Sequence, residues 1–153
     1  MESTLKILVI CQSIHQRNTR KVAEVFSEIL KAEVKKPSEI DTSEIRNYDL
    51  IGFGSGIYNG YHHPSLFGMI DNLSESNKQK AFIFSTSTIF INKMHQKLRN
   101  RLVQKGFEIT GEFNCKGRMT YSFTKFCFGG LNKSRPNKKD LGKARKFAEN
   151  LIK

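Results

Sequence analysis

"LKILVI", residues 5–10, runs directly into "CQSIHQRNTRKVAEVF", residues 11–26. The first part is almost continuously apolar, as expected of a strand that is covered on both faces. In the second part, Val22, Val25 and Phe26 recur at helical spacing. The sequence therefore predicts a strand, a polar loop and a helix, with hydroxyl, amide, imidazole and guanidinium groups crowded into the loop.

Strands and helices alternate along the rest of the chain. Apolar runs predict further strands at residues 32–36, 49–55, 80–85 and 107–115, and helical spacing predicts further helices at residues 66–73, 94–103 and 141–151. Asn137, with Asp140 three residues later, predicts a capping box before the last helix. Five strands joined by right-handed helical crossovers predict an α/β fold, a three-layer doubly wound sheet of five parallel strands.

Length and composition fit one globular domain over residues 1–153. A chain of 153 residues with 38% hydrophobic side chains buries roughly 68–70% of the surface that its unfolded state exposes. No apolar run approaches the roughly 18 residues of a membrane span, and residues 1–6 lack the pattern of a signal peptide. Three cysteines without a C-x-x-C spacing favour free thiols over a disulfide framework. We therefore expect a cytoplasmic protein.

The net charge of +12 is concentrated near the end of the chain. Residues 116–153 contain 11 Lys and Arg against 2 acidic residues. Such a patch attracts an acidic protein, a nucleic acid or a membrane surface, and it is equally typical of a solvated helix face. The sequence has no arginine-rich tail, aromatic RNA-binding motif or zinc-ligand spacing, which disfavours a nucleic acid as the partner.

The loops at the carboxyl ends of the predicted strands are expected to carry the function, because ligands of doubly wound sheets bind there. These loops are rich in small, hydroxylated or aromatic residues and cover residues 12–19, 54–64, 85–90 and 115–137. In the first loop, Ser13, Asn18 and Thr19 surround a helix start whose backbone N–H groups lack partners within the helix. That arrangement suits an anion. The same residue types also occur as plain N-caps.

The first loop also matches a pattern known from one protein family. Ser13, His15, Asn18 and Thr19 fit the phosphate loop Ser-x-His-x-Gly-Asn-Thr of flavodoxin-like proteins, with Arg17 in the place of its glycine. Over essentially its whole length the chain resembles a small member of the flavodoxin family. The resemblance implies the strand order 2-1-3-4-5, already known for flavodoxin, with FMN bound at the switch point of the sheet.

The resemblance further implies which residues bind FMN. They are Ser13, Ile14, His15, Arg17, Asn18 and Thr19 around the phosphate, Ser55, Gly56, Ile57, Tyr58, Asn59 and Gly60 in a loop against the isoalloxazine, Ser85, Thr86 and Ser87 along the ribityl chain and ring edge, and Cys115 beside the ring. FMN needs anion donors, hydroxyl partners and apolar or aromatic cover, and these occur here in chain order.

By this resemblance the protein is an FMN-binding redox protein that carries electrons to a protein partner or reduces a small electron acceptor. The flavin supplies the redox chemistry, so no side chain is assigned as catalytic. Electron-carrying flavodoxins are usually acidic, and this chain is basic, so we expect a redox partner with an acidic surface. His62 and His63 can meet the flavin or the substrate, but no acidic or Cys partner stands at ligand spacing, and no metal site is predicted.

Two other functions stay open at this point. Cys11 and Arg17 have the C-x5-R spacing of tyrosine and low-molecular-weight phosphatases, in which a thiolate attacks phosphorus while the arginine holds its oxygens. Against this, Asn18 replaces the hydroxyl residue that usually follows the arginine, and no Asp-Pro pair supplies a general acid. Cys11 can equally be a small apolar residue that ends a buried strand. The third possibility is a flavin-free basic binding module.

Overall fold

The computed structural model describes residues 4–13, 18–89, 93–117 and 135–153. The predicted site residues Ile14, His15 and Arg17 lie outside the described residues, and so does Cys127.

The described helices and strands alternate as predicted. In chain order they are β1 (Ile7–Gln12), α1 (Asn18–Leu30), β2 (Glu33–Lys35), two 3-10 helices (Pro37–Glu39 and Thr42–Asn47), β3 (Leu50–Tyr58), β4 (Tyr61–His62), α2 (Pro64–Asp71), β5 (Lys80–Ser87), α3 (Gln96–Gln104), β6 (Glu108–Lys116) and α4 (Lys138–Leu151). Five parallel strands follow the order β2-β1-β3-β5-β6, and the short β4 pairs antiparallel with β3. The predicted α/β fold and its strand order are confirmed.

The sheet is covered on both faces, which explains its continuously apolar strands. Along β1, Ile7, Val9 and Cys11 enter the core beneath α1 and α4, whereas Leu8 and Ile10 enter the core beneath α2 and α3. This alternation follows from the two-residue period of a strand. We call the two sides the α1/α4 face and the α2/α3 face.

Two glycines of β3 make room for aromatic rings on the α1/α4 face. A Cβ at Gly52 would lie 2.3 Å from the Phe82 ring, and one at Gly54 would lie 2.3 Å from the Phe84 ring. The Phe26 ring, from α1, lies nearly perpendicular to these two rings at centroid distances of 5.5 and 5.1 Å. Gly54 is therefore a packing residue inside a strand.

Four strands end later than predicted, because β1, β3, β5 and β6 reach Gln12, Tyr58, Ser87 and Lys116, so each of the four predicted loops begins inside a strand. Residues 54–58 belong to β3 and residues 85–87 to β5, because Ser55 and Gly56 still pair with Ser85 and Thr86. The predicted loop positions of these segments were wrong, since ladder pairing persists past the end of the apolar run.

A hairpin and the form of one crossover were not predicted from the sequence. Asn59 and Gly60 have φ values of 52° and 85° and form the tight turn between β3 and β4. An Asn-Gly pair is the usual signal for such a turn, because both central residues need positive φ. Between β2 and β3 the chain uses the two 3-10 helices, from which Ile45 packs on the α2/α3 face.

The start of α4 is capped as predicted. The Asn137 side chain accepts a hydrogen bond from the Asp140 backbone N–H at 2.9 Å, and the Asp140 carboxylate accepts from the Asn137 N–H at 2.8 Å. Asp140 is buried and also pairs with Arg135. Among the described helices, none is long and apolar enough to cross a membrane.

Candidate functional site

The carboxyl ends of β1, β3, β5 and β6 meet at one edge of the sheet, beside the start of α1. This edge carries the described members of the predicted site: Ser13 after β1, Asn18 and Thr19 in α1, residues 55–60 at the end of β3, residues 85–87 at the end of β5, and Cys115 in β6. Parallel pairing brings these segments together although they are far apart in the chain.

The start of α1 is joined to the end of β5 by a direct contact. The hydroxyls of Thr19 and Thr86 lie 2.7 Å apart, and both residues are buried. One hydroxyl donates to the other, which leaves a second hydroxyl hydrogen free to point elsewhere. Ser13 accepts from the Arg20 backbone N–H at 3.2 Å and so helps to cap the same helix.

The start of α1 is suited to negative charge. The first turn of α1 contains no acidic residue, so nothing in it neutralises the partial positive charge of the helix terminus. Asn18 is buried there, and the end of β6 comes close to it: a Cβ at Gly117 would lie 2.8 Å from Asn18 Nδ2. Helix donors, hydroxyls and an amide thus converge where β1, β5 and β6 end.

At the end of β3, the hydroxyl of Ser55 is fully engaged in the interior. Ser55 Oγ donates to the Gly56 carbonyl at 2.6 Å, accepts from the His63 backbone N–H at 2.9 Å and lies 3.0 Å from His62 Nδ1. Beyond it, Ile57 and Tyr58 are half-buried, and the Tyr58 ring meets His63 edge-on at 5.6 Å. Their partly exposed side chains lie beside the Asn59–Gly60 turn.

Because side chains alternate along β5, the hydroxyls of residues 85–87 do not all lie on the same face of the sheet. Thr86 lies on the α1/α4 face with Thr19. Ser85 lies on the α2/α3 face, where its Oγ is 2.6 Å from His95 Nε2 and accepts from Asn114 Nδ2 at 2.8 Å. Asn114 Nδ2 also lies 3.2 Å from Ser87 Oγ. Only Thr86 shares the side of the sheet on which α1 begins.

Behind the site lies a polar network of four residues that are not among the predicted FMN-binding residues; its two histidines are buried, and its Glu112 end reaches the surface. The four residues are His62, His95, Glu112 and Asn114. His95 Nδ1 lies 3.1 Å from a Glu112 oxygen, and Arg99 donates two hydrogen bonds to the same carboxylate at 2.8 and 2.9 Å. The rings of His62 and His95 lie 5.1 Å apart. Two Ser-His pairs therefore stand side by side at the ends of β3 and β5.

Burial keeps both histidines of the network neutral near neutral pH. It lowers the pKa of His62 to about 3, with a smaller contribution in the same direction from His95. Burial also lowers the pKa of His95, against the opposing effect of the Glu112 carboxylate. The half-buried His63 has its pKa lowered by burial as well.

Both described cysteines are core residues. Cys11 and Cys115 pack on the α1/α4 face. Burial raises the pKa of each thiol to about 12, so both are protonated at neutral pH. Because a phosphatase of the C-x5-R type attacks with a thiolate, this environment does not favour Cys11 as a nucleophile. Within the described ranges, no group of three or more His, Cys, Asp or Glu side chains is placed to hold a metal ion.

Comparison with known proteins identifies the family. The family model described as the flavodoxin domain matches residues 9–134, which is most of the chain. The chain belongs to the flavodoxin domain family. The matched residues run from β1 past the end of β6 and include every segment of the candidate site.

Members of this family and proteins of the same fold match nearly the full length of the chain. An uncharacterized protein of Methanocaldococcus jannaschii is 49% identical over 151 residues, which are 97% of this chain and 99% of the relative. The crystal structure of oxidised flavodoxin 2 from Bacillus cereus superposes with a TM-score of 0.72 at 18% identity, covering 96% of this chain and 97% of the other. General stress protein 14 of Treponema denticola, solved in complex with FMN, superposes with a TM-score of 0.60 at 10% identity, with 96% and 95% covered.

Proposed function

We propose that this flavodoxin-family protein binds FMN at the carboxyl edge of its sheet and works as a redox protein, carrying electrons to a protein partner or reducing a small acceptor. The observation that carries the proposal is the contact between Thr19 and Thr86, at 2.7 Å. It joins the helix start suited to a phosphate with the strand end suited to the ribityl chain and the ring. The FMN complex of the Treponema denticola protein supports the choice of cofactor.

The residues at this edge fit the chemistry of FMN. A phosphate dianion needs hydrogen-bond donors and positive potential, which the start of α1 supplies together with Ser13 and Thr19. The Thr19–Thr86 pair has one hydroxyl hydrogen left to donate. Ile57 and Tyr58, half-buried at the end of β3, offer apolar and aromatic cover for a flat ring. We assign the remaining predicted residues of the site to the same cofactor.

Each part of the site has its own task in the proposed function. Bound FMN supplies the redox chemistry. The start of α1 binds and orients the phosphate. The β3–β4 hairpin, with its Asn59–Gly60 turn, excludes water from one side of the ring. The interior hydrogen bonds of Ser55 hold the Gly56 carbonyl in a fixed direction.

The basic end of the chain supports an acidic redox partner. Lys138, Lys139 and Lys146 are exposed on α4 and form no ion pair with any acidic residue in the described part of the chain. The helix α4 begins at the edge where β6 ends, so its first turn lies close to the proposed cofactor. Unpaired cations beside a redox site speed association with an acidic protein.

A variant pair tests the phosphate assignment. Thr19→Val removes the hydroxyl but keeps the shape, and we expect it to weaken FMN binding by about tenfold to a hundredfold, the value of a charge-assisted hydrogen bond. Riboflavin, which lacks the phosphate, should lose much less. Thr42→Val, an exposed change in a 3-10 helix beside Gln79, is the matched control. Flavin fluorescence titration measures all four affinities; equal losses for both flavins would remove Thr19 from the phosphate site.

A second experiment tests the partner assignment. A reduced, acidic iron–sulfur carrier protein serves as the probe, and its rate of electron transfer to the FMN-loaded protein is measured by stopped flow. We expect the rate to fall with ionic strength and to drop in the Lys138→Glu, Lys139→Glu double variant. Lys78→Glu, exposed just before β5 at the opposite edge, should leave the rate unchanged. A rate that is independent of salt would remove the basic helix from the docking surface.

A further inference from the structure

The two buried histidines stand directly behind the segments proposed to line the flavin ring. His62 Nδ1 is 3.0 Å from Ser55 Oγ, and His95 Nε2 is 2.6 Å from Ser85 Oγ. Ser55 and Ser85 are partners in the β3–β5 ladder. Each imidazole is thus hydrogen-bonded to a serine that is assigned to the proposed cofactor site, and neither histidine is itself among the residues assigned to FMN.

The protonation pattern around His95 follows from its neighbours. The Glu112 carboxylate, held by Arg99, can only accept, so His95 donates to it through Nδ1–H at 3.1 Å. A neutral imidazole then has its lone pair on Nε2, which accepts the Ser85 hydroxyl hydrogen. Ser85 in turn accepts from Asn114. Each donor in this row of hydrogen bonds points toward Glu112. The imidazole Nε2 therefore carries a lone pair at which a further proton can bind.

His62 differs from His95 in its surroundings. Its Nε2 is buried, and among the residues that the structure describes it has neither a hydrogen-bond partner nor a paired carboxylate. Within the same described ranges, the charged groups that contact the pair are Glu112 on β6 and Arg99 on α3, and both face His95. Because two imidazolium ions with ring centres 5.1 Å apart would repel each other, the pair can hold one added proton, and Glu112 favours His95 as its position.

We infer that His95 is the site at which the protein takes up a proton when its bound FMN is reduced. This inference rests on the proposed function. Two electrons from a reduced carrier protein, together with one solvent proton, would leave bound FMN with one negative charge. A second solvent proton then forms an N–H bond at His95 Nε2, and the new cation balances that charge. The Ser85 hydroxyl changes from donor to acceptor toward His95, and its hydrogen becomes available to another acceptor at the carboxyl edge.

The test is the pH dependence of the midpoint potential of the FMN-loaded protein, with electrons delivered from an electrode through a viologen mediator. We expect the wild-type protein to take up two protons per two electrons around neutral pH. His95→Gln, which can keep hydrogen bonds to Ser85 and Glu112, should take up one. Thr42→Val, the exposed change in a 3-10 helix already used as a control, should behave as wild type.

Two further variants have opposite expected signs. Glu112→Gln removes the carboxylate that favours the protonated form of His95. The pH range in which the protein takes up two protons per two electrons should therefore move to lower pH. Arg99→Gln removes a cation that disfavours the same protonated form and should move the range to higher pH. For each we expect a shift of about one pH unit, a tenfold change in proton affinity. Because both variants retain His95, they test the inference even if His95→Gln does not fold.

The outcomes separate the inference from the proposed function. If FMN binds and is reduced with one proton per two electrons in wild type throughout pH 5–8, the inference is wrong and the proposed function stands. If the protein binds no FMN, both are wrong. NMR of the histidine Cε1–H groups gives an independent readout: the His95 signal should move to its imidazolium position on reduction at pH 7, and an unmoved signal overturns the inference.

Discussion

The two faces of the sheet are filled differently at the edge where the strands end. On the α1/α4 face, Phe26, Phe82 and Phe84 form an aromatic core, and two glycines of β3 leave space for the rings. On the α2/α3 face, the same strands end in a buried network of Ser-His pairs. The first arrangement makes a rigid support for the start of α1. The second places groups that can bind protons behind the other half of the same edge.

The largest expected effect concerns pH and should arise on the α2/α3 face. The pKa of His62 is about 3 in the folded protein, against 6.5 as its ordinary value. Between these values the unfolded chain binds more protons, so stability rises with pH and is lost as pH falls below about 6.5. We expect the free energy of unfolding to be lower by about 2–3 kcal/mol at pH 4.5 than at pH 8.

Urea unfolding at both pH values checks this loss. His62→Gln should be less stable than wild type at pH 8 but should show a smaller decrease toward pH 4.5. His63→Asn serves as the control, because His63 is only half-buried and should contribute less. If the free energy of unfolding of His62→Gln falls between pH 8 and pH 4.5 as much as that of wild type, groups other than His62 cause the acid sensitivity.

The next effect concerns the α1/α4 face. Gly54→Ala places a Cβ 2.3 Å from the Phe84 ring, and we expect it to destabilise the protein by about 1–3 kcal/mol through overpacking. Gly68→Ala, in α2, meets no atom within 4 Å and should stabilise by about 0.5–1 kcal/mol. Denaturant midpoints measure both; a neutral Gly54→Ala would mean that the rings rearrange easily and the support is not rigid.

The smallest effect is the expected difference in stability cost between two neighbouring residues of β5 that lie on opposite faces of the sheet. Ser85→Ala removes the partner of both His95 Nε2 and Asn114 Nδ2 in a buried position, which should cost about 1–3 kcal/mol. Thr86→Val keeps its volume and removes one neutral hydrogen bond to Thr19, at about 1 kcal/mol. Thermal or denaturant unfolding measures the loss of stability in each variant. A larger loss in Thr86→Val than in Ser85→Ala would contradict the expected difference between the two faces.

The fold could be predicted because the hydrophobic patterns of strands and helices are local signals. Their alternation along the chain agrees with one arrangement of layers. Continuous apolar runs such as residues 5–10 and 80–85 indicated strands covered on both faces, and the helical spacing after them indicated the crossovers. The Asn59–Gly60 turn could have been predicted from its Asn-Gly pair. It was not, because residues 54–64 were interpreted as one loop. The Gly54–Phe84 contact depends on the register of two strands that lie 30 residues apart in sequence, which no local pattern contains.

The polar network could not be predicted, and a β-bulge explains why. Between Ala81 and Phe82, the pairing of β5 with β6 shifts by one residue, so that Ile109 is followed in the ladder by Gly111. One extra residue reverses the alternation of side chains beyond it. Glu112 and Asn114 therefore face His95 and Ser85, and Phe113 and Cys115 enter the opposite core. Without that shift, the sequence would place Glu112 on the other face.

Titration of the purified 153-residue chain with FMN, followed by visible absorption and flavin fluorescence, shows whether the cofactor site exists. We predict saturable one-to-one binding with quenched fluorescence, weaker binding of riboflavin, and a selective loss of FMN affinity in Thr19→Val but not in Thr42→Val. Absence of FMN binding, or FMN binding unchanged in Thr19→Val, would contradict a cofactor site built where α1 begins and β5 ends.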